Sequence, residues 1–464
     1  MNHYNHLTEE DIVIESLGIP RMTSPVRCFT APNHVPGTPL CKNFVSDNDR
    51  VLVDASEKYF MDCFEKGEAP LSFEKAGPRE KIFFHPKKVK CAIVTAGGLC
   101  PGINDVIRAI VLELYYIYKV HNIIGIPFGY QGLSSQFNHE VIPLDPERVS
   151  YIHELGGTIL SSSRGQYPVE DMVDTLQQLN VNILFAIGGD GTLRGANRIA
   201  EEIQRRGLTT AVIGIPKTID NDIFLVEKSF GFDTAVETAA QVIRSAHTEA
   251  TGAPNGIGLV KLMGRHSGFI AAYAALALRE VNFVLIPESD FDLEGPWGLL
   301  ENLRRRLAGR GHAVVVVAEG AGQKVFCEDP VRKDPSGNIR LGDIGPYLVS
   351  RIKSYFEGLG QEINLKYIDP SYIIRSQPAN FSDRIFCGFL GQHAVHAGMA
   401  GKTNMLVSLW NNEYIHVPIQ AAVARRKQVD LEGNMWLSVL ESTGQPSLQN
   451  DSQWNPTCPL PEEK

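Results

Sequence analysis

VNILFAIGGDGTLRGANRIAEEIQRR, residues 181–206, contains the fold in miniature. An apolar run of strand length meets two glycines, an aspartate, a third glycine and a hydroxyl, and a helix-like amphipathic segment follows. Glycine lets backbone N–H groups approach a polyphosphate closely, and the start of a helix presents positive partial charge to an anion. Gly189, Gly191 and Thr192 are therefore expected at phosphate groups, with the Asp190 carboxylate suited to a magnesium ion. GGDG is also a good tight turn, but strand, turn and helix in this order favour phosphate binding.

A second unit of the same kind lies upstream. Residues 91–104, CAIVTAGGLCPGIN, lead into the helical run DVIRAIVLELYYIYKV, with Gly97, Gly98 and Gly102 as close-approach positions. Strand and helix patterns alternate between the two, which predicts a mostly parallel sheet covered on both faces. Downstream, residues 213–222 read IGIPKTIDND. If that strand ends near Pro216, Asp220 and Asp222 point the same way, outside its carboxyl end, where open α/β sheets bind ligands. One carboxylate there is able to take a hydroxyl proton while the other holds a metal or orients a water. An Asx-rich turn that satisfies its own backbone accounts for DND equally well.

AGGxxPGxN, GGDGT, PKTIDND and the MGR of LMGRHSG (residues 262–268), in this order and at these spacings, resemble the 6-phosphofructokinase family over residues 88–401. GGDGT alone is shared with nicotinamide dinucleotide and lipid kinases; PKTIDND and MGR are not. The resemblance implies phosphorylation of the C1 hydroxyl of fructose 6-phosphate by Mg²⁺–ATP, in glycolysis. It makes Asp220 the base, with Thr218 and Asp222 lining the same loop. Met263, Gly264 and Arg265 would contact the sugar phosphate, Arg265 also countering charge on the transferring group. Glu319 matches the sugar-hydroxyl acceptor. Arg375 and Arg384 match the pair around the 6-phosphate, one of which normally comes from a neighbouring subunit. Gly97, Gly98, Tyr130, Arg164, Gly189, Asp190, Gly191, Thr192 and Lys217 fall on the nucleotide side, and Asp190 is the metal ligand. A homo-oligomer is implied, a tetramer over a dimer.

Two positions bear on the donor. In the family, glycine after the GGD aspartate and glycine before TID go with ATP, whereas aspartate and lysine go with pyrophosphate; this chain has Gly191 and Lys217. The glycine leaves room for an α-phosphate that an aspartate would crowd and repel, and Lys217 still neutralises a β- or γ-phosphate oxygen as a point charge. The mixed pair, with KLMGRHSGFIA and LCPGIND, resembles the atypical ATP-dependent branch of trypanosomatids and plants inside the pyrophosphate group. ATP is expected, with pyrophosphate the alternative. Gly256 stands where the short bacterial enzymes carry a substrate-phosphate arginine. The helix after Arg108 lacks their second effector arginine, which argues against ADP or phosphoenolpyruvate control there, although the family is allosteric.

The expected architecture is α/β: two doubly wound, mostly parallel-sheet Rossmann-like domains with the active site in the cleft between them, plus terminal extensions. Residues 1–88 are assigned to an N-terminal small domain, 89–232 to the nucleotide domain and 233–383 to the sugar-phosphate domain. Residues 384–464 form a helix returning to the core, a strand pair and a Pro/Ser/Gln-rich tail expected to be mobile. Helices are expected at 234–249, 267–279 and 296–308, and a charged surface loop at PSGN. With 464 residues and 43% hydrophobic content the chain supports two to three cores. A net charge of −9 argues against nucleic-acid binding. No apolar run approaches the roughly 20 residues that span a bilayer, and no leader is visible, so a cytoplasmic enzyme is expected. The 8 cysteines show no CxxC spacing and are expected to be reduced thiols. Cys100 suits packing over reactivity, and His266 a supporting or exposed position. A non-catalytic regulatory subunit would be marked by loss of the base, and the base is present.

Overall fold

The computed structural model describes residues 7–29, 41–326 and 340–450. The chain divides into two compact units, the first drawn from Met1–Thr234 and Arg375–Lys427, the second from Ala235–Asp334, Asn338–Ile374 and Gln428–Lys464.

In the first unit the strands Cys91–Thr95, Ile183–Gly188 and Ala211–Pro216 are buried along their whole length. Runs of β-branched and small apolar residues with no polar alternation belong in a parallel sheet covered on both faces. They pair in parallel, Thr95 opposite Ile187 and Pro216 opposite Gly188. This register matters for function, because all three strands stop at one level and the segments after Thr95, Gly188 and Pro216 leave the sheet side by side. Among the described residues the sheet has nine strands, in the order Arg50–Leu52, Ser72–Lys75, Glu413–Pro418, Met405–Trp410, Ala211–Pro216, Ile183–Gly188, Cys91–Thr95, Ile123–Ile126 and Ile142–Pro143.

Four of those strands come from the chain's two ends. Residues 1–88, expected to form a small domain of their own, instead lend Arg50–Leu52 and Ser72–Lys75 to this sheet through antiparallel pairing on Glu413–Pro418. The strand pair expected after the returning helix is present as a hairpin, Met405–Trp410 and Glu413–Pro418. Its two-residue turn is Asn411–Asn412, both at positive φ, the left-handed conformation that asparagine tolerates and a tight hairpin requires. The returning helix, Phe381–Met399, is capped by the Asn380 side chain, which accepts from Asp383 N–H at 3.0 Å.

A buried polar cluster joins these terminal segments. Glu74 accepts from Arg79 at 2.8 Å, Lys402 at 3.0 Å and His416 Nδ1–H at 2.9 Å, and Lys402 also reaches Asp47 at 3.0 Å. Burial by itself raises the Glu74 carboxyl; the His416 bond with the charges of Lys402 and Arg79 outweighs it and brings the group down to about 2. Nearby, burial and the surrounding cations push His393 down to about 3, so its ring is neutral.

The second unit is smaller and wholly parallel, in the order Phe283–Leu285, His312–Ala318, Gly256–Leu262 and Asn364–Ile368. Its helices Phe232–Thr251, Phe269–Leu278 and Leu299–Arg310 fall within a few residues of the expected spans. Asn364–Ile368 is an unexpected strand, since its five residues, NLKYI, are short, mixed in polarity and only partly buried, as suits an edge strand. Residues 445–450, expected to belong to a mobile tail, are instead tied down. Gln445 accepts from Val284 N–H at 2.6 Å, and Asn450 N–H donates to Asp292 at 2.7 Å, so this segment covers an open strand edge. The remainder of that tail and the PSGN loop lie outside the described residues.

Cys28 and Cys41, expected as thiols, form a disulfide with Cα atoms 5.2 Å apart. The flanking backbone brings them together: Lys42 N–H donates to Phe29 C=O at 3.0 Å and Asn43 bonds both Phe29 and Arg27. Spacing alone does not reveal such a pair.

Candidate active site

The three adjoining strand ends of the first unit build one side-chain constellation. After Cys91–Thr95, Gly97 adopts φ +88° and Gly102 φ +96°, conformations that favour glycine, and the helix Ile103–Leu112 follows. Gly98 faces two arginines: a Cβ there would sit 3.2 Å from Arg375 Nη1 and 3.4 Å from Arg164 Nη2. Lys217, buried at the end of Ala211–Pro216, donates from Nζ to Gly98 C=O at 2.6 Å. Burial lowers its pKa; Cys100 opposes this, Arg375 and Arg164 add to it, and Asp220 also opposes it. Three basic side chains thus meet at one glycine turn, a concentration of positive charge. The structure brings Gly97, Gly98, Arg164 and Lys217 together. It also places Arg375, the last residue of the helix Ser371–Arg375, against the Gly97–Gly98 turn of its own chain.

GGDGT opens the helix Asp190–Arg205. Asp190 Oδ2 accepts from Arg194 Nε at 3.2 Å. A Cβ on Gly191 would meet nothing within 4 Å, so packing among the described residues does not demand glycine at that position. Tyr130 is buried, donates to Thr192 C=O at 2.6 Å and packs under Gly195. It supports the phosphate loop from beneath.

TIDND forms a turn closed by its own side chains. Thr218 Oγ1 accepts from Asp220 N–H at 3.1 Å and donates to Asp222 Oδ1 at 3.0 Å. Asn221 takes φ +54° and its carbonyl oxygen accepts from Ser229 N–H at 3.0 Å. The turn therefore rests on bonds from Thr218, Asn221 and Asp222, with the Asp220 side chain half-buried beside them. Sequence analysis missed Arg426, which donates to Asp222 Oδ2 at 2.7 Å and reaches Asp190 Oδ2 at 3.5 Å. The ARRK run at residues 424–427 was its only signal. Arg384 makes a two-pronged pair with Glu154 at 2.7 and 3.1 Å, which raises its pKa.

Cys100 is held as packing: its thiol donates to Phe230 C=O at 3.2 Å and burial pushes it up to about 12, far from a reactive thiolate.

In the second unit, MGR follows Gly256–Leu262 and Glu319 follows His312–Ala318, with Leu262 opposite Ala318 in the ladder. Glu319 N–H donates to Leu262 C=O at 2.9 Å and Gly320 N–H to Gly264 C=O at 3.1 Å. Met263, Gly264, Arg265 and Glu319 are thereby neighbours. Gly264 sits at φ +133° with a Cβ position 2.6 Å from Ser267 C=O, and a Cβ on Gly320 would collide with the Arg265 carbonyl. Backbone against backbone closes this loop, and Gln323 Nε2 donates to Glu319 C=O at 3.1 Å. At Gly256 a Cβ would collide with Ala250 C=O, so the site of the short enzymes' arginine has no room for a side chain here. His266 is half-buried, and its carbonyl accepts from Gln428.

The residues present suit a magnesium ion in one respect: Asp190 and Asp222 supply hard carboxylate oxygens on adjoining loops. No group of three or more His, Cys, Asp or Glu that could hold a metal occurs among the described residues.

Comparison with known proteins gives consistent results. The phosphofructokinase family model matches residues 90–398. The chain is 51% identical over 449 residues to an ATP-dependent 6-phosphofructokinase of Borreliella burgdorferi, covering 95% of this chain and 98% of the relative. It is 47% identical over 412 residues to one from Amycolatopsis methanolica, covering 87% and 89%. Among solved structures, the pyrophosphate-dependent phosphofructokinase of Marinobacter aquaeolei superposes with TM-score 0.63 at 18% identity, covering 78% of this chain and 93% of that one; this likeness speaks to fold alone.

Proposed function

The chain belongs to the phosphofructokinase family, and from that premise we propose that it transfers the γ-phosphoryl group of ATP to the C1 hydroxyl of fructose 6-phosphate. The observation that carries this reading is the convergence of Lys217, Arg164 and Arg375 on the Gly97–Gly98 turn, one strand away from GGDGT and TIDND. Phosphoryl transfer demands little covalent help; positioning and compensation of charge do most of the work. The cations at Gly98 hold and neutralise the donor's phosphates, and the Gly189 and Gly191 backbone at the helix start adds N–H donors. Asp220 takes the C1 proton as general base. Thr218 and Asp222 hold the loop that presents it, and Met263, Gly264, Arg265 and Glu319 bind the sugar phosphate. Arg384 belongs to the same sugar-phosphate set, with Glu154 as its partner when no substrate is bound. Asp190, with Asp222 beside it, would hold magnesium, which when bound neutralises and orients the phosphates.

The open space at Gly191 favours ATP over pyrophosphate, since packing does not require the glycine and a nucleotide's α-phosphate does. A homo-oligomer and a cytoplasmic setting are part of the reading. Among the described residues no helix is long and apolar enough to cross a membrane. The test is fructose 1,6-bisphosphate formation with Mg²⁺ and either ATP or pyrophosphate in separate assays. Turnover with ATP is expected; turnover with pyrophosphate alone would reassign the donor, and silence with both would support a regulatory subunit.

A further inference from the structure

Asp190 and Asp222 come from different strand ends, yet one guanidinium serves both. Arg426 Nη1 lies 2.7 Å from Asp222 Oδ2 and Nη2 lies 3.5 Å from Asp190 Oδ2. Asp222 is 9% exposed and Asp190 21%, so the mutual repulsion of the two carboxylates is only partly screened and a cation between them has a defined function. Arg426 is not a wandering surface side chain. Its backbone bridges Ile223, Lys427 N–H donates to Asp222 C=O at 2.9 Å, and Lys427 Nζ caps Val226 C=O at 2.7 Å and Glu227 C=O at 2.9 Å. Arg194 adds a second strut, pairing Asp190 with one edge and the Val423 carbonyl with another. The segment that carries Arg426 is thus fastened to the TIDND loop and to the GGDGT helix at once.

We propose that Arg426 is a positioning residue that competes with the divalent cation for the Asp190 and Asp222 carboxylates and thereby sets the metal concentration the enzyme needs. This rests on Asp190 being the metal carboxylate. The guanidinium holds the two carboxylates at a common focus while no metal is present. It carries one charge against the two of a hard cation and is 35% exposed, so the pair is weak enough to exchange. Removing it frees Asp222 Oδ2 and leaves Asp190 Oδ2 paired with Arg194 alone, at 3.2 Å.

The experiment measures binding of Mn²⁺ alone to the full chain by electron paramagnetic resonance, together with the Mg²⁺ concentration giving half-maximal turnover at fixed ATP. R426Q is expected to bind Mn²⁺ about fivefold more tightly than the parent and to shift the Mg²⁺ midpoint down by about the same factor, the scale of one partly exposed ion pair. R426K, which keeps the charge and loses the two-pronged reach, should fall between them, and it stands in for R426Q should that variant fold poorly. Unchanged or weaker Mn²⁺ binding in a folded variant overturns the proposal. D190N separates the two readings: loss of Mn²⁺ binding in D190N with no change in R426Q sinks the role of Arg426 alone, whereas Mn²⁺ binding retained in D190N removes Asp190 as the metal ligand and the proposal with it.

Discussion

The two units use the same grammar of strand, glycine turn and helix but brace their loops by different means. In the first, side chains cross from one strand end to the next: Lys217 to Gly98, Tyr130 to Thr192, Arg426 to Asp222 and Asp190. In the second, backbone contacts take a direct part, Gly264 and Gly320 closing MGR onto Glu319, with Gln323 donating to Glu319 C=O at 3.1 Å and Glu288 accepting from Gly268 N–H at 3.1 Å. The difference follows from the charge each loop is read as handling. A polyphosphate needs several cations aimed at one point, and those cations must be held apart by carbonyls and carboxylates until it arrives.

If this contrast is right, the largest loss comes from the one proposed chemical group. Asp220→Asn should lower turnover by about 10³-fold, with ATP and sugar-phosphate binding measured calorimetrically close to the parent; unchanged turnover would remove Asp220 as the base. Next in size is Gly320→Ala in the second unit. Its methyl must displace the Arg265 carbonyl, and a shift on that scale costs about 100-fold. The loss should fall on kcat/KM for fructose 6-phosphate and leave KM for ATP nearly unchanged; a change confined to ATP would undo the division of labour. Gly191→Asp tests the first unit. Because no described atom crowds that position, unfolding stability should stay within about 0.5 kcal/mol while ATP turnover falls about 10-fold or more, a like-charge penalty at a phosphate. Equal loss with pyrophosphate would undercut the donor argument.

The smallest effect is a pH dependence far from the loops. His393 is held near 3, below its unfolded value of 6.5, and Glu74 near 2, below 4.5. For both, the unfolded chain binds the proton more readily, so their contribution is complete above the unfolded pKa and declines as pH falls. The denaturation midpoint should therefore drop from pH 7 to 5 through His393 together with His396 and His416, which burial also lowers, and further below 4.5 through Glu74. A His393→Gln variant should remove the His393 share and make the upper part of that curve shallower; an unaltered slope there would show that the other two histidines govern it.

Much of this was legible because short glycine turns after apolar runs are local signals. GGDGT, AGG and TIDND are where the structure has loops at strand ends, and the parallel strands fall at the expected residues since burial on both faces leaves no other pattern. The edge strand Asn364–Ile368 escaped notice for the converse reason: half-exposed strands carry polar residues that resemble loop. Arg426 escaped because ARRK is a plain basic run until folding sets it beside a carboxylate 204 positions away in sequence.

The sequence by itself determined the strands, the glycine turns and the family, because backbone conformation and burial pattern are decided by residues near one another in the chain. Tertiary structure alone decided that both chain ends extend the first sheet, that Cys28 meets Cys41, that Arg375 joins Arg164 and Lys217 at Gly98, and that Arg426 spans two carboxylates. Pairing of this kind depends on through-space distance between charges and thiols, a quantity that exists only once the strands have chosen their neighbours.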